Sequence, residues 1–251
     1  MGVTYNPFSL EGKTILVTGA SSGIGKETAI SCSRMGARMI ITARNEDRLK
    51  ETFNQLEGEG NSMVLADLTR QEEIEMLVSQ VGKIDGVVLC AGKGMSLPVL
   101  FSSREKFDEV FNVNFYSPVE TLRILVKKKC LKPDSSVVFI LSIGGIRRWS
   151  PGNGIYGASK ASLQSMVHFF AIELSTKRIR VNGICPGMVE TPMIHGGSIT
   201  QEQLDEDRAK YPLQRYGQPI DIANGIIYLL SEASSWVTCT SLVIDGGITA
   251  K

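Results

Sequence analysis

Tyr156 and Lys160 stand four residues apart in GNGIYGASKAS, residues 152–162. Positions i and i+4 share one face of a helix, so a phenol and an ammonium would point into one space. A phenol ordinarily titrates near 10, too high for ready proton exchange at neutral pH. An ammonium favours the phenolate. At ~4 Å and an effective dielectric of ~20 the attraction is about 4 kcal/mol, an upper bound of about three pKa units. The pair is therefore a candidate general acid and base, with Tyr156 expected to be drawn toward neutrality. The same spacing also suits a solvated helix face, and spacing alone does not choose. Ser142 ends the apolar run SSVVFILS upstream. Its hydroxyl can orient a substrate oxygen beside Tyr156, or simply end a strand.

A second group of residues suits a nucleotide. In TGASSGIG, residues 18–25, Gly19, Gly23 and Gly25 follow an apolar run and open a helical one. Glycine permits a tight turn and close backbone approach to a pyrophosphate, and a helix N-terminus offers free N–H groups. Ser21 and Ser22 add hydroxyl donors. The next apolar run ends TARN, with Ala43 where an acid would accept ribose hydroxyls, followed by Arg44. Arginine pairs with a 2′-phosphate through a charge-assisted fork, which favours NADP(H) over NAD(H). Asp67 either meets the adenine edge or caps the following helix.

These residues need a scaffold to bring them together. KTILVTG, ARMIITA, NSMVLAD, IDGVVLCAG, SSVVFILS, IRVNGICPG and TSLVIDGG are near-continuous apolar runs, the pattern of strands covered on both faces. Helical patterns lie between them at about 23–35, 45–57, 71–80, 103–130, 155–176 and 219–231. The alternation predicts a Rossmann-type, doubly wound α/β fold: a seven-stranded parallel sheet with helices on both faces, in one domain over residues 1–251. Residues 188–217 are the least regular stretch and suit a substrate loop, or a plain surface insertion.

Composition narrows the function classes. With 27 basic and 26 acidic residues and a net charge of +1, no global pull toward nucleic acid or anionic membrane exists. Apolar runs are too short to span a bilayer, and the first residues lack a secretory or myristoylation pattern. Five scattered cysteines and two histidines offer no metal-site spacing and suit buried, reduced thiols. No metal site and a cytoplasmic address are expected.

TGxxxGxG, Asp67, CAG at 90–92, NVNF at 112–115, Ser142, YxxxK at 156–160, CPGMVETPM and the terminal VIDGG occur in one order along the chain. In this the sequence resembles the short-chain dehydrogenase/reductase family, in particular its single-domain branch that includes 3-oxoacyl-acyl-carrier-protein reductases. The match runs from Gly12 to Gly247. The resemblance implies a catalytic set of Ser142, Tyr156, Lys160 and Asn114, the last holding a water that relays protons from Lys160 to solvent. Lys160 would also hold the nicotinamide ribose. It adds Ile24, Leu68, Ala91 and Gly92 to the cofactor contacts, with Pro186 and Gly187 shaping a turn and Val189 and Thr191 near the nicotinamide carboxamide.

Two departures stand out. Cys90 replaces an asparagine that braces the sheet in relatives, and one extra residue separates Ser142 from Tyr156. The expected activity is NADPH-dependent carbonyl reduction, with 3-oxoacyl thioesters as one substrate class. The alternatives are an NADP-dependent alcohol dehydrogenase of a sugar- or steroid-like substrate and a non-enzymatic nucleotide-binding protein. Gly144, Arg148, Trp149, Met188 and Met193, with Arg147 and His195 nearby, are the expected substrate walls. Arg147 and Arg148 suit an anion or are solvated loop charge. A homotetramer is implied by the resemblance, and lysines 127–129 would either meet an acyl carrier protein or complement a helix C-terminus.

Overall fold

The structure, a computed structural model, describes residues 5–195 and 200–250. The chain alternates strand and helix from the start: β1 (Thr14–Thr18), α1 (Gly23–Arg34), β2 (Arg38–Ala43), α2 (Glu46–Phe53), β3 (Ser62–Leu65), α3 (Gln71–Val81) and β4 (Ile84–Leu89). It continues through α4 (Arg104–Phe111), α5 (Ser117–Lys127), β5 (Leu131–Ile140), α6 (Gly154–Leu174) and β6 (Arg180–Pro186). The last elements are α7 (Pro192–His195), α8 (Gln201–Arg208), α9 (Pro219–Leu230) and β7 (Ser241–Ile244). The seven strands form one parallel sheet in the order β3-β2-β1-β4-β5-β6-β7. All seven apolar runs of the sequence are strands of this sheet, and the fold is Rossmann-type. Strand order reverses between β1 and β4, and the crevice at their carboxyl ends is where such sheets bind ligands.

Alternate residues of each strand enter opposite cores. Val137 and Phe139 of β5 join Leu77 of α3, Leu125 of α5 and Val167 of α6 on one face. Val138 and Ile140 join Ala29 of α1 and Ile226 of α9 on the other. Covering both faces removes the polar positions a half-solvated strand would keep, hence the unbroken apolar runs.

One expected element differs. The helix anticipated over 103–130 is interrupted at Asn112–Tyr116 by a π-helical turn, which separates α4 from α5. Such turns often mark functional positions. The irregular stretch after β6 is pinned at its base: the Glu190 amide donates to the Gly217 carbonyl (2.8 Å) and the Gly217 amide to the Met188 carbonyl (2.9 Å). Tyr211 and Tyr216, both buried, meet edge to face beneath it. Residues 196–199 of this stretch lie outside the described residues.

The bracing that Cys90 cannot supply comes from β1. Thr18 Oγ1 accepts hydrogen bonds from the amides of Cys90 (3.0 Å) and Ala91 (3.2 Å) and donates to the Val88 carbonyl (3.4 Å). Thr18 is buried. Thr18→Val keeps the shape and leaves two amides without an acceptor, so urea denaturation should show a loss of about 1–3 kcal/mol. A loss under about 0.5 kcal/mol would mean that the β4 terminus is braced elsewhere.

Candidate active site

The carboxyl ends of β1, β2, β4, β5 and β6 open onto a cleft of about 1420 Å³. Gly19, at φ +68°, lies so close to the end of β4 that a Cβ would sit 2.8 Å from Ala91 Cα, and a Cβ on Gly25 would strike the Gly19 carbonyl oxygen. Ser22 precedes α1 without a side-chain capping bond, and the first turn of α1 carries no acid. The N–H groups and positive end of α1 therefore face the cleft ready for an anion. Backbone without side chains beside a positive helix end fits the pyrophosphate of a dinucleotide.

Ser21, Ser22, Gly23, Ile24, Arg44, Asp67, Leu68, Ala91 and Gly92 all line this cleft. So do Pro186, Gly187, Val189 and Thr191 on the far side. Arg48 of α2 lines it too. It follows Arg44 by one helical turn, a spacing that was readable in the sequence but not used. Asp67 Oδ1 accepts from the Thr69 amide (3.0 Å) and hydroxyl (2.8 Å), closing the turn before α3 while its residue lines the cleft. Burial pushes its carboxyl up, but the Thr69 hydrogen bonds with Arg44 and Arg70 nearby outweigh this and hold it below its ordinary range.

Ser142, Tyr156 and Lys160 meet in the middle of the cleft. Ser142 Oγ accepts from the Gly144 amide (3.0 Å) and lies near enough to the Tyr156 phenol to favour its ionised form. The Lys160 ammonium is buried, donates to the Ile140 carbonyl at the end of β5 (2.7 Å) and lies 5.9 Å from the centre of the Tyr156 ring. Burial raises the Tyr156 phenol above its ordinary value. The Ser142 hydroxyl opposes this, and Cys90 and Cys185 add to the rise. Burial also pushes Lys160 down to about 8. The expected lowering of Tyr156 by Lys160 is thus not found: desolvation raises the phenol, and the ammonium sits by the ring, bonded to the Ile140 carbonyl, rather than against the phenol oxygen.

Asn114 lies in the π turn, fully buried, behind the cleft wall. Its Oδ1 accepts from the Lys93 amide (2.8 Å), and its Nδ2 donates to the Lys93 carbonyl (3.0 Å) and to Ser159 Oγ (3.1 Å). Ser159 in turn donates to the Tyr156 carbonyl (2.7 Å). The side chain thereby clamps the β4–α4 connection to α6. Both amide hydrogens are used within the chain, so a relay water would have to be held by other atoms.

After Ser142 the chain makes a tight turn, where the Ile143 carbonyl accepts from the amides of Arg147 (2.8 Å) and Arg148 (2.9 Å). Gly144, Arg148, Met188 and Met193 line the cleft as expected. Trp149 does not. The turn throws its indole outward, 76% exposed, so it is no wall of this site. His195 also points elsewhere and meets Glu190 (3.0 Å).

Fold and site together define an α/β oxidoreductase built around a dinucleotide cleft. A family model described as Enoyl-(Acyl carrier protein) reductase matches residues 19–249. The 3-oxoacyl-[acyl-carrier-protein] reductase FabG of Rickettsia bellii is 34% identical, with 95% of this chain and 98% of that protein covered. FabG of Thermotoga maritima is 35% identical over the same shares. Among solved structures, the Pseudomonas aeruginosa RhlG/NADP active-site complex superposes with a TM-score of 0.90 at 28% identity, covering 98% of this chain and 100% of that one. The chain belongs to the short-chain dehydrogenase/reductase family and is an oxidoreductase of the CH–OH/C=O couple.

The buried ammonium has a direct readout. In the free protein, NMR of labelled lysine side chains should show Lys160 titrating at about 8, charged below and neutral above, so that the cation beside Tyr156 is lost as pH rises through that value. A midpoint near the ordinary lysine value of about 10.4 would contradict the burial argued here.

Proposed function

We propose that this chain is an NADPH-dependent carbonyl reductase with Tyr156 as its general acid. The observation that carries the reading is the buried Lys160 ammonium 5.9 Å from the centre of the Tyr156 ring, within one cleft that also holds Ser142 and the glycine cradle. The nicotinamide, when bound, supplies the hydride. Ser142 donates to the carbonyl oxygen and turns it toward the phenol. Tyr156 passes its proton to that oxygen, and burial keeps the phenol protonated until it does so. The Lys160 cation then stabilises the phenolate left behind and, with the nicotinamide ribose in place, also holds its hydroxyls. Asn114 holds α6 in register with the end of β4. Run backwards, the same residues serve alcohol oxidation.

Arg44 and Arg48 support NADP(H), because both face the cleft at the end of β2 and no carboxylate occupies position 43. The NADP complex of RhlG lends the same support. The two FabG relatives make 3-oxoacyl thioesters the first substrate class to assay. A homotetramer is supported by Tyr116 of the π turn and by Phe169 and Ile172 of α6, large apolar side chains left exposed. Lysines 127–129, exposed at the end of α5, suit the helix C-terminus as well as an acidic carrier protein. Among the described residues no helix is long and apolar enough to cross a membrane.

NADPH oxidation should be followed against 3-oxoacyl thioesters, diketones, keto sugars and steroid ketones. Tyr156→Phe should lower kcat on every hit by about 10²–10⁴-fold and leave the Kd for NADPH within about twofold. Normal turnover in that variant would sink the acid assignment. Arg44→Ala should weaken NADPH about 10- to 100-fold and leave NADH nearly unchanged. An unchanged ratio of the two cofactors would refute the preference for NADP(H).

A further inference from the structure

Just beyond Ser142 the chain doubles back and sets two arginines side by side. The turn is rigid. Gly145, at φ +81°, donates its amide to the Arg148 carbonyl (2.9 Å), and any side chain on it would strike the Gly157 carbonyl oxygen of α6. Arg147 and Arg148 are therefore fixed by backbone to the helix that carries Tyr156. Arg148 lines the main cleft with Ser142 and Tyr156. With Arg147, Lys210, Ile248 and Thr249 it also lines an adjoining cavity of about 450 Å³.

Among the described residues no carboxylate comes within hydrogen-bond distance of either guanidinium of this turn. Asp207 lies 3.6 Å from Arg148 and 3.9 Å from Lys210, longer than the 2.8 Å of the surface pair Arg104–Asp108. Its other oxygen accepts from the Tyr216 hydroxyl (3.1 Å). Asp245, on the same side, spends its oxygens on the amides of Gly247 (2.9 Å) and Thr249 (3.0 Å) and on the Thr249 hydroxyl (2.6 Å). Among the described residues Arg147 has no ion-pair partner. Arg148, half-buried in the cleft and 3.6 Å from Asp207, and the exposed Arg147 in the adjoining cavity are two guanidinium groups on one rigid turn, each able to pair with a carboxylate or phosphate.

We infer that Arg147 and Arg148 form an anion subsite, and that the carbonyl or alcohol turned over beside Tyr156 carries a carboxylate or phosphate remote from its reacting carbon. This rests on the reductase reading above and narrows it.

Matched substrates test the subsite: 4-oxopentanoate, its methyl ester, and the phosphate monoester of 5-hydroxypentan-2-one, each with NADPH and the intact chain. At least one anion should exceed the ester in kcat/KM by about 10- to 100-fold, and the better anion tells carboxylate from phosphate. In the double variant Arg147→Ala/Arg148→Ala that preference should collapse to within about threefold, through KM, with Arg148→Lys intermediate. Equal values for acid and ester, or a preference the double variant keeps, would overturn the subsite and leave the reductase standing. Should no carbonyl in any panel react, calorimetry with inorganic phosphate decides separately. Binding lost in the double variant supports the subsite while the reductase reading fails, and no binding to the unmodified chain overturns the subsite.

Discussion

A lysine ammonium buried at the end of the central sheet is the constraint around which this structure is arranged. Taking a charge out of water is costly, and Lys160 is pushed down to about 8 by that cost. Its partner in the chain is a backbone carbonyl, Ile140, rather than a carboxylate. The two thiols beside it do not help. Burial raises Cys90 to about 12 and Cys185 to about 11, so both are neutral and leave the cation unpaired. A carboxylate there would have fixed the ammonium permanently. A carbonyl holds it in place and leaves its charge free to act on a phenolate when one forms. The Asn114 clamp and the packing of α6 on the sheet keep that geometry from relaxing into water.

The sheet fixes most of the remaining distances. Gly19, Ala91, Ser142 and Pro186 each lie at or within two residues of the carboxyl end of a strand, and those strands are adjacent and hydrogen-bonded to one another. Cradle, serine and turn after β6 are therefore spaced by strand geometry rather than by loop conformation. Thr18 shows how tightly this is enforced, since its hydroxyl holds two amides of the neighbouring strand end beneath the cradle. Replacing the family's asparagine by Cys90 is tolerable because that bond set leaves little for the side chain at 90 to do.

The strands were legible because burial on both faces writes itself into sequence as unbroken apolar runs, and the glycine turn because only glycine suits it. The glycine spacing, Arg44 and the Ser–Tyr–Lys set were equally plain. What escaped the sequence has a common cause. The π turn at 112–116 adds a single residue per turn, which hydrophobic periodicity does not resolve. The direction of the Tyr156 shift escaped because pairwise charge arithmetic takes no account of desolvation, here the larger effect. Trp149 escaped because its direction is set by the turn at Gly145, a backbone conformation rather than a side-chain preference. Local patterns reveal elements, whereas the balance between burial and charge exists only once the elements are packed.

Chemistry and selectivity consequently sit on different parts of the molecule. The proposed reacting groups are carried by strand ends and by α6, where a small displacement would break several hydrogen bonds at once. The walls that meet the rest of a substrate come from the turn after Ser142 and from the stretch after β6. That stretch is not loose where it is described: Glu190 joins His195 of α7 (3.0 Å) to Arg208 of α8 (3.0 Å), and the Met188 amide donates to the Tyr211 hydroxyl (3.0 Å). Met193 reaches the opposite rim, where even a Cβ on Gly94 would crowd its thioether at 3.2–3.4 Å. Gly94 is therefore the smallest residue at the point where roof and floor approach, and a Cβ there would require the Met193 side chain to give by a few tenths of an ångström. With Ser142, Tyr156 and Lys160 positioned by the sheet and α6, the two walls can vary in sequence without disturbing that arrangement.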